Sequence, residues 1–261
     1  MIECPIPDPA FRWTREAWGP ALRCEPLERI AQHLFTSRQL QLPSDQGWLA
    51  ALGSLNATAD HLIRVKQVHG NTVRIVTQGA AAAGAAALRP DGDAIVSNAP
   101  GLVLAVMVAD CVPILVADRR RGVAAAIHAG WRGTCARVAE AAIIAMQREF
   151  GSSPRDLVAA IGPSAGPADY EVGESLIEAF RHAGHPESSI ANWFLQPGPK
   201  PHLDLWSANR DQLRDAGVPG DHIFSCGLST VSHPDIFDSY RVAGERAGRM
   251  AALITVPPPT P

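Results

Sequence analysis

The sequence predicts an α+β fold, with mixed β-sheets and helices between some of the strands. Three observations carry this. The middle of the chain is dense in apolar runs of strand length, helical periodicity with caps occurs only in places, and no internal repeat is visible. Grouped strands with occasional helices point to mixed sheets, not to regular β–α–β alternation. The lack of a repeat removes solenoids and propellers.

The elements follow in chain order. His61 to Val68 and Val73 to Thr77 read as a strand pair joined by the turn His69-Gly70-Asn71. Gly79 to Leu88, almost all alanine and glycine, reads as a surface excursion. Leu102 to Val108 is a continuous apolar run, the pattern of a strand buried on both faces. Pro113 to Ala117 and Val123 to Ile127 read the same way, joined by the charged turn Asp118 to Gly122. A helix is expected from about Thr134 to Phe150, with Thr134 as N-cap and Val138, Ala142, Ala145 and Phe150 on its apolar face. Gly151 stops it and Pro154 follows. Leu157 to Ile161 is a strand, Gly173 to Ala183 a helix, Trp206 to Ala216 a helix closed by Gly217, and Arg249 to Val256 a final strand. The tail Pro257 to Pro261 is expected to fray. No composition break marks a boundary, so residues 1–261 read as a single domain.

Composition narrows the function classes. The chain is 46% hydrophobic and 19% charged, with a formal net charge of −3, and its basic residues are scattered. A nucleic-acid reader would concentrate them in a patch or stripe. No apolar run spans a bilayer, and Met1 to Pro20 lacks the apolar core of a signal peptide. Five cysteines, widely spaced and odd in number, do not form a disulfide framework. These features predict reduced thiols, a cytoplasmic location, and neither a nucleic-acid nor a membrane partner.

The chemistry concentrates at strand ends. Val65 to Val68 runs into His69, Leu102 to Val108 runs into Ala109-Asp110-Cys111, and Val123 to Ile127 runs into His128. Two imidazoles and a thiolate make a three-ligand set, the number catalytic zinc sites commonly take from protein. Copper competes for the same nitrogen and sulfur donors. Each residue also has an ordinary reading, as a buried inert thiol or a satisfied structural histidine. Asp110 and Asp93 are candidate acceptors for a ligand imidazole, whereas Asp91 reads as turn chemistry. Gly133-Thr134 would place free backbone N–H groups near His128, and Arg132 would add a bidentate anion contact. Tyr170, before Glu171-Val172-Gly173, is a candidate ligand contact or a helix-entry packing residue. Glu171 and Glu174 suit the helix dipole. Arg241, in Ser239-Tyr240-Arg241, is a second candidate anion contact.

Taken together, Gln67-Val68-His69-Gly70, Ala109-Asp110-Cys111-Val112-Pro113, His128-Ala129-Gly130-Trp131-Arg132-Gly133, Ile161-Gly162-Pro163 with Tyr170-Glu171-Val172-Gly173, and Ser239-Tyr240-Arg241 with Gly248-Arg249 resemble the YfiH-like family from about Leu34 to Ile254. That family is known as multicopper polyphenol oxidoreductases or laccase-domain proteins, and more recently as purine nucleoside phosphorylases. The resemblance implies an α/β sandwich shared with Cys-His hydrolase toxins, and zinc on His69, Cys111 and His128. It implies phosphorolysis of adenosine, inosine and methylthioadenosine with some adenosine deamination. Monomer or weak homodimer is the implied assembly. The chain departs from the family pattern at Ser37 to Leu40, at Ser164-Ala165 and at Val242, none of them a metal ligand.

Three further mechanisms stay open beside this one. Cys111 as nucleophile with His128 as base would make an amide hydrolase, and the family resemblance implies cell-wall precursors as its substrates. A non-catalytic zinc module would need a fourth protein ligand. A copper oxidase of phenols would need several coppers and many histidines, and the chain has nine histidines with only His69 and His128 in the pattern. In the nucleoside reading, zinc polarises water or a substrate oxygen, Arg132 and Arg241 hold phosphate, and Asp110 is a candidate for proton transfer.

Overall fold

The computed structural model describes residues 3–77 and 89–258. The expected excursion Gly79–Leu88 and the last residues of the proline tail lie outside the described residues. The chain opens with a hairpin, β1 (Phe11–Glu16) and β2 (Gly19–Cys24), followed by the short helix α1 (Glu25–Glu28) and β3 (His33–Thr36). Helix α2 (Asp45–Gly53) is capped by the Ser44 side chain, which accepts the Gly47 N–H. Then come β4 (Leu62–Arg64), β5 (Val73–Val76), β6 (Ala94–Ser97), β7 (Val103–Val108), β8 (Val112–Asp118) and β9 (Ala124–Ala129). The second half carries α3 (Trp131–Cys135), α4 (Val138–Phe150), β10 (Leu157–Ile161), α5 (Glu174–His182), α6 (Glu187–Trp193), β11 (Phe194–Leu195) and β12 (His202–Leu203). It ends with α7 (Leu205–Asp215), β13 (Ile223–Ser225), α8 (Tyr240–Ala243) and β14 (Met250–Thr255). Among the described residues, no helix is long and apolar enough to cross a membrane.

Two six-stranded sheets form, in the orders β1-β2-β3-β14-β7-β4 and β13-β10-β8-β9-β6-β5. Strand alternation sorts the core into layers. Leu104 and Val106 of β7, Leu115 and Ala117 of β8, and Ala124 and Ala126 of β9 meet in the core between the sheets. Val103 and Ala105 turn the other way, onto Trp48 and Leu52 of α2. On the far face of the second sheet, Ile114, Val116, Ala125 and Ile127 pack with α4 and α7. The result is a helix–sheet–sheet–helix sandwich, which is the expected mixed-sheet α/β sandwich with flanking helices. The central strands β6, β8, β9 and β10 are buried along their whole lengths, which is why they read as unbroken apolar runs.

Two expectations are corrected. First, β4 and β5 do not pair with each other. β4 lies beside β7 in the first sheet and β5 beside β6 in the second, both parallel. His69-Gly70-Asn71 is therefore part of a crossover between sheets, not a hairpin turn. Second, the helix expected from Thr134 is two helices. Gly130 precedes the first, and Arg137 in the left-handed region (φ 60°) separates it from the second. The Thr134 hydroxyl caps nothing; it accepts a hydrogen bond from the Asn209 amide at 3.0 Å. The expected C-terminus holds, with Gly151 left-handed at φ 66° and its N–H returned to the Gln147 and Met146 carbonyls.

Candidate metal centre

His69, Cys111 and His128 come together with their ligand atoms all within 4.8 Å of one another. The topology explains the meeting. His69 lies on the crossover from β4 to β5 and Cys111 on the step from β7 to β8, and each leads from the first sheet to the second. His128, near the end of β9, shares the face of Ala124 and Ala126, so its ring enters the gap between the sheets. The centre thus occupies one mouth of the sandwich. His128 is buried, Cys111 half-buried and His69 exposed, so one side of the cluster stays open.

The segment leading to His69 is not strand, because β4 ends at Arg64. Gln67 takes the part of a ladder residue instead. Its amide donates to the Met107 carbonyl at 2.7 Å and accepts the Met107 N–H at 2.8 Å, tying the segment to β7. Residue 130 is glycine for a steric reason: a Cβ there would stand 2.8 Å from the Cys111 sulfur and 3.3 Å from Cδ2 of His69. The two imidazoles stand edge to face, ring centroids 4.9 Å apart.

Fully buried Asp93, just before β6, holds two of these residues from behind. Its carboxylate accepts the N–H groups of Val68 (3.3 Å), His69 (2.9 Å) and Gly70 (2.7 Å), and meets Nδ1 of His128 at 2.9 Å. Burial pushes the Asp93 carboxyl up, and these hydrogen bonds, led by that of His128, outweigh it and bring it below the ordinary range. Burial likewise pushes the Cys111 thiol up, and hydrogen bonding to His128 and then His69 reverses this, down to about 6. His128 is pulled down by burial and raised to about 9 by Asp93 and Cys111. Cys111 and His128 thus form one thiol–imidazole pair sharing a proton, which a bound metal would displace. The donor set fits zinc: one thiolate and two nitrogens, with the second ring nitrogen of His128 held by a carboxylate.

Asp110 is left-handed (φ 81°), and both carboxylate oxygens are engaged at 2.6 Å, one by the Thr230 hydroxyl and one by the Arg241 backbone N–H. It fastens the Cys111 step to the start of α8. Arg241 stacks on Tyr170 at 4.7 Å and donates to the Glu171 carbonyl at 2.7 Å. Burial raises the Tyr170 phenol to about 12, with the nearby Cys111 charge adding to it and Arg241 opposing it. Arg132 is exposed and lies over the Trp131 ring at 4.3 Å. The free Thr134 N–H expected for an anion is spent on the Gly130 carbonyl at 2.8 Å. Two bracing residues escape sequence reasoning: Thr230, whose segment carries no motif, and Gln67, which stands in a motif that says nothing of its bond to β7.

A family model described as multi-copper polyphenol oxidoreductase laccase matches residues 46–257. A purine nucleoside phosphorylase of Deinococcus radiodurans is 40% identical over 204 residues, covering 78% of this chain and 74% of that protein. One of Bacteroides thetaiotaomicron is 43% identical over 164 residues, but this match spans only 60% of the relative and 63% of this chain. Adenosine deaminase RL5, from an unknown prokaryotic organism, is 36% identical over 200 residues, 75% of each chain. The crystal structure of YlmD from Geobacillus stearothermophilus superposes with a TM-score of 0.84 at 29% identity, covering 94% of this chain and 98% of that one.

Proposed function

Since this chain belongs to the multi-copper polyphenol oxidoreductase laccase family, whose YfiH-like members the sequence motifs resemble, we propose that it is a zinc-dependent purine nucleoside enzyme. It splits adenosine, inosine and methylthioadenosine with phosphate, giving free base and the pentose 1-phosphate, and deaminates adenosine as a side activity. The observation that carries this reading is the His69–Cys111–His128 cluster, open on one side, in a chain whose relatives bear the names purine nucleoside phosphorylase and adenosine deaminase. Zinc held by these three residues supplies a Lewis acid.

The chain's own residues do the rest. A phosphate oxygen bonds to the ribose carbon as the carbon–nitrogen bond to the base breaks, and the base leaves with the electron pair. Arg241, steadied by Tyr170 and the Glu171 carbonyl, and exposed Arg132, both near Tyr170, serve as cations for phosphate. Asp110, with both oxygens occupied, serves as a positioning group in this scheme and not as the proton carrier. Positioning and preorganised charge supply most of the acceleration.

The Cys111–His128 contact also favours a second reading, a cysteine hydrolase in which that pair is nucleophile and base. Oxidation of phenols by several coppers draws less support, because the described residues hold a single cluster of three His, Cys, Asp or Glu groups suited to an ion. Chromatography of the three nucleosides after incubation with zinc-loaded protein, with and without phosphate, tests the proposal. Phosphate-dependent release of free base supports it. No turnover of any of the three overturns it and leaves the hydrolase, which alkylation of metal-free Cys111 by iodoacetamide would then probe.

A further inference from the structure

We infer that Asp93 is the positioning residue that assembles the metal centre, fixing His128 in the tautomer that offers Nε2 to the ion while clamping the loop that carries His69. This rests on the metal-centre part of the reading above and on no particular substrate.

His69 is left-handed at φ 61°, a conformation that few non-glycine residues adopt. Here it turns three successive N–H groups, of Val68, His69 and Gly70, toward one point. Such a concavity is an anion nest, and the anion it holds is the Asp93 carboxylate. Gly70 lies close enough that a Cβ there would meet the Asp93 Oδ2 at 3.6 Å. Asp93 also grips His128 at both ends: its carbonyl accepts the His128 N–H at 2.7 Å, and its Oδ1 meets the ring Nδ1 at 2.9 Å. A carboxylate only accepts, so Nδ1 must carry the proton and Nε2 is left for a metal. One fully buried side chain on the second sheet therefore sets the ring of one histidine and the backbone of another arriving from the first sheet.

The division between the two oxygens makes this testable. Oδ1 serves His69 N–H and His128 Nδ1, and Oδ2 serves Val68 and Gly70. Asp93→Asn keeps the shape and turns one acceptor into a donor. If the amide nitrogen takes the Oδ1 place, it offers a proton to His128 Nδ1, and the ring answers with the proton on Nε2, where it blocks the ion. If it takes the Oδ2 place, the nest faces a donor and two N–H groups lose their acceptor. Both placements weaken the site.

The test is zinc affinity by chelator competition on the parent and Asp93→Asn, with thermal melting of both zinc-free proteins. The expected result is zinc binding weaker by about 10- to 100-fold, the usual loss when such an outer partner is removed. Parental affinity in a folded Asp93→Asn protein overturns the inference. Should the variant fail to fold, nitrogen-15 NMR of the zinc-loaded parent reads the same claim: Nδ1 of His128 bears the proton and Nε2 does not, and the reverse assignment overturns it. Nucleoside turnover is assayed apart from both. A parent that binds zinc through this arrangement yet turns over no nucleoside upholds the inference while the proposed function fails.

Discussion

Gly130→Ala separates the geometry of the metal centre from the stability of the fold. The glycine has φ −73° and ψ 174°, extended backbone that any residue adopts. The added methyl therefore brings no backbone strain, and as a residue preceding a short helix it costs less than about 1 kcal/mol relative to glycine. Its carbon would stand 2.8 Å from the Cys111 sulfur and 3.3 Å from Cδ2 of His69. Comfortable contact needs roughly 3.5–4 Å, so the sulfur must retreat by about 1 Å. A metal site keeps its ligand distances within about 0.2 Å, and a displacement of about 1 Å at a reacting centre typically costs about 100-fold. We therefore expect zinc affinity to fall at least tenfold while the zinc-free melting temperature moves by only a few degrees. Chelator competition and thermal melting measure the two quantities. A variant with parental zinc affinity would show that Cys111 and His69 have slack, and the claim that glycine is required there would be withdrawn.

Cys111→Ala should abolish zinc binding and nucleoside turnover together, a loss well beyond the roughly 100-fold that outer partners cost; full turnover in that variant refutes a role for the cluster. Stripping zinc from the parent with a chelator should stop phosphorolysis and re-addition restore it, whereas restoration by copper alone, with activity scaling to copper content, would favour the oxidase. Buried His33 accepts the Cys24 N–H at 2.9 Å and contacts the Ala31 carbonyl at 3.1 Å, and burial holds it down to about 4. Its folded value lies below its unfolded one, so its contribution is present above about pH 6.5 and is lost as pH falls from there toward 4, by about 3 kcal/mol; urea midpoints against pH should fall more steeply for the parent than for His33→Gln, and parallel curves would refute this. Gly162→Ala would drive a methyl into the buried Phe35 ring, which should cost about 3 kcal/mol, read as a melting temperature lowered by roughly 10 °C.

The parts of the fold legible in the sequence are those where local pattern and burial agree. Strands β7 to β10 lie in sheet interiors, so both faces are apolar and the runs stand out. The end of α4 is legible because a left-handed C-cap needs glycine, and Gly151 supplies it. Its beginning is not, because the break at Arg137 is left-handed without glycine. What holds it is tertiary: the guanidinium donates to the Ala183 and Gly184 carbonyls, nearly fifty residues away. The β4–β5 pairing fails for a similar reason. Gly70-Asn71 between two apolar strands is a fair local turn signal, yet the chain's direction there is decided by the Asp93 carboxylate more than twenty residues later. The hairpin β1–β2 escapes notice because polar residues and Pro20 interrupt both of its strands, so neither holds an unbroken apolar run of strand length. In the centre, the three candidate ligand residues are visible, while the braces Gln67 and Thr230 are not, since both act on partners that only the fold brings near.

The position of the centre at two sheet crossovers has a functional consequence. Each of the crossing segments is fastened by side chains: the His69 loop to Asp93 of the second sheet and, through Gln67, to β7 of the first, and the Cys111 step, through Asp110, to Thr230 and α8. His128 alone sits within a strand. The backbones that carry His69 and Cys111 are thus set by side-chain carboxylates, and that of His128 by the ladder itself, with Asp93 holding its ring. Rigid strands place functional groups more accurately than loops do, and these carboxylates give the loops a comparable fix while leaving His69 exposed at the open side. The same Asp110 carboxylate that steadies the step carrying Cys111 also holds the backbone of Arg241, a proposed phosphate contact. A change at Asp110 should therefore disturb metal affinity and phosphate dependence together, whereas a change at Asp93 should act on the metal alone. That difference between two buried carboxylates, measurable as zinc affinity against the Michaelis constant for phosphate, follows from which backbone groups each one holds.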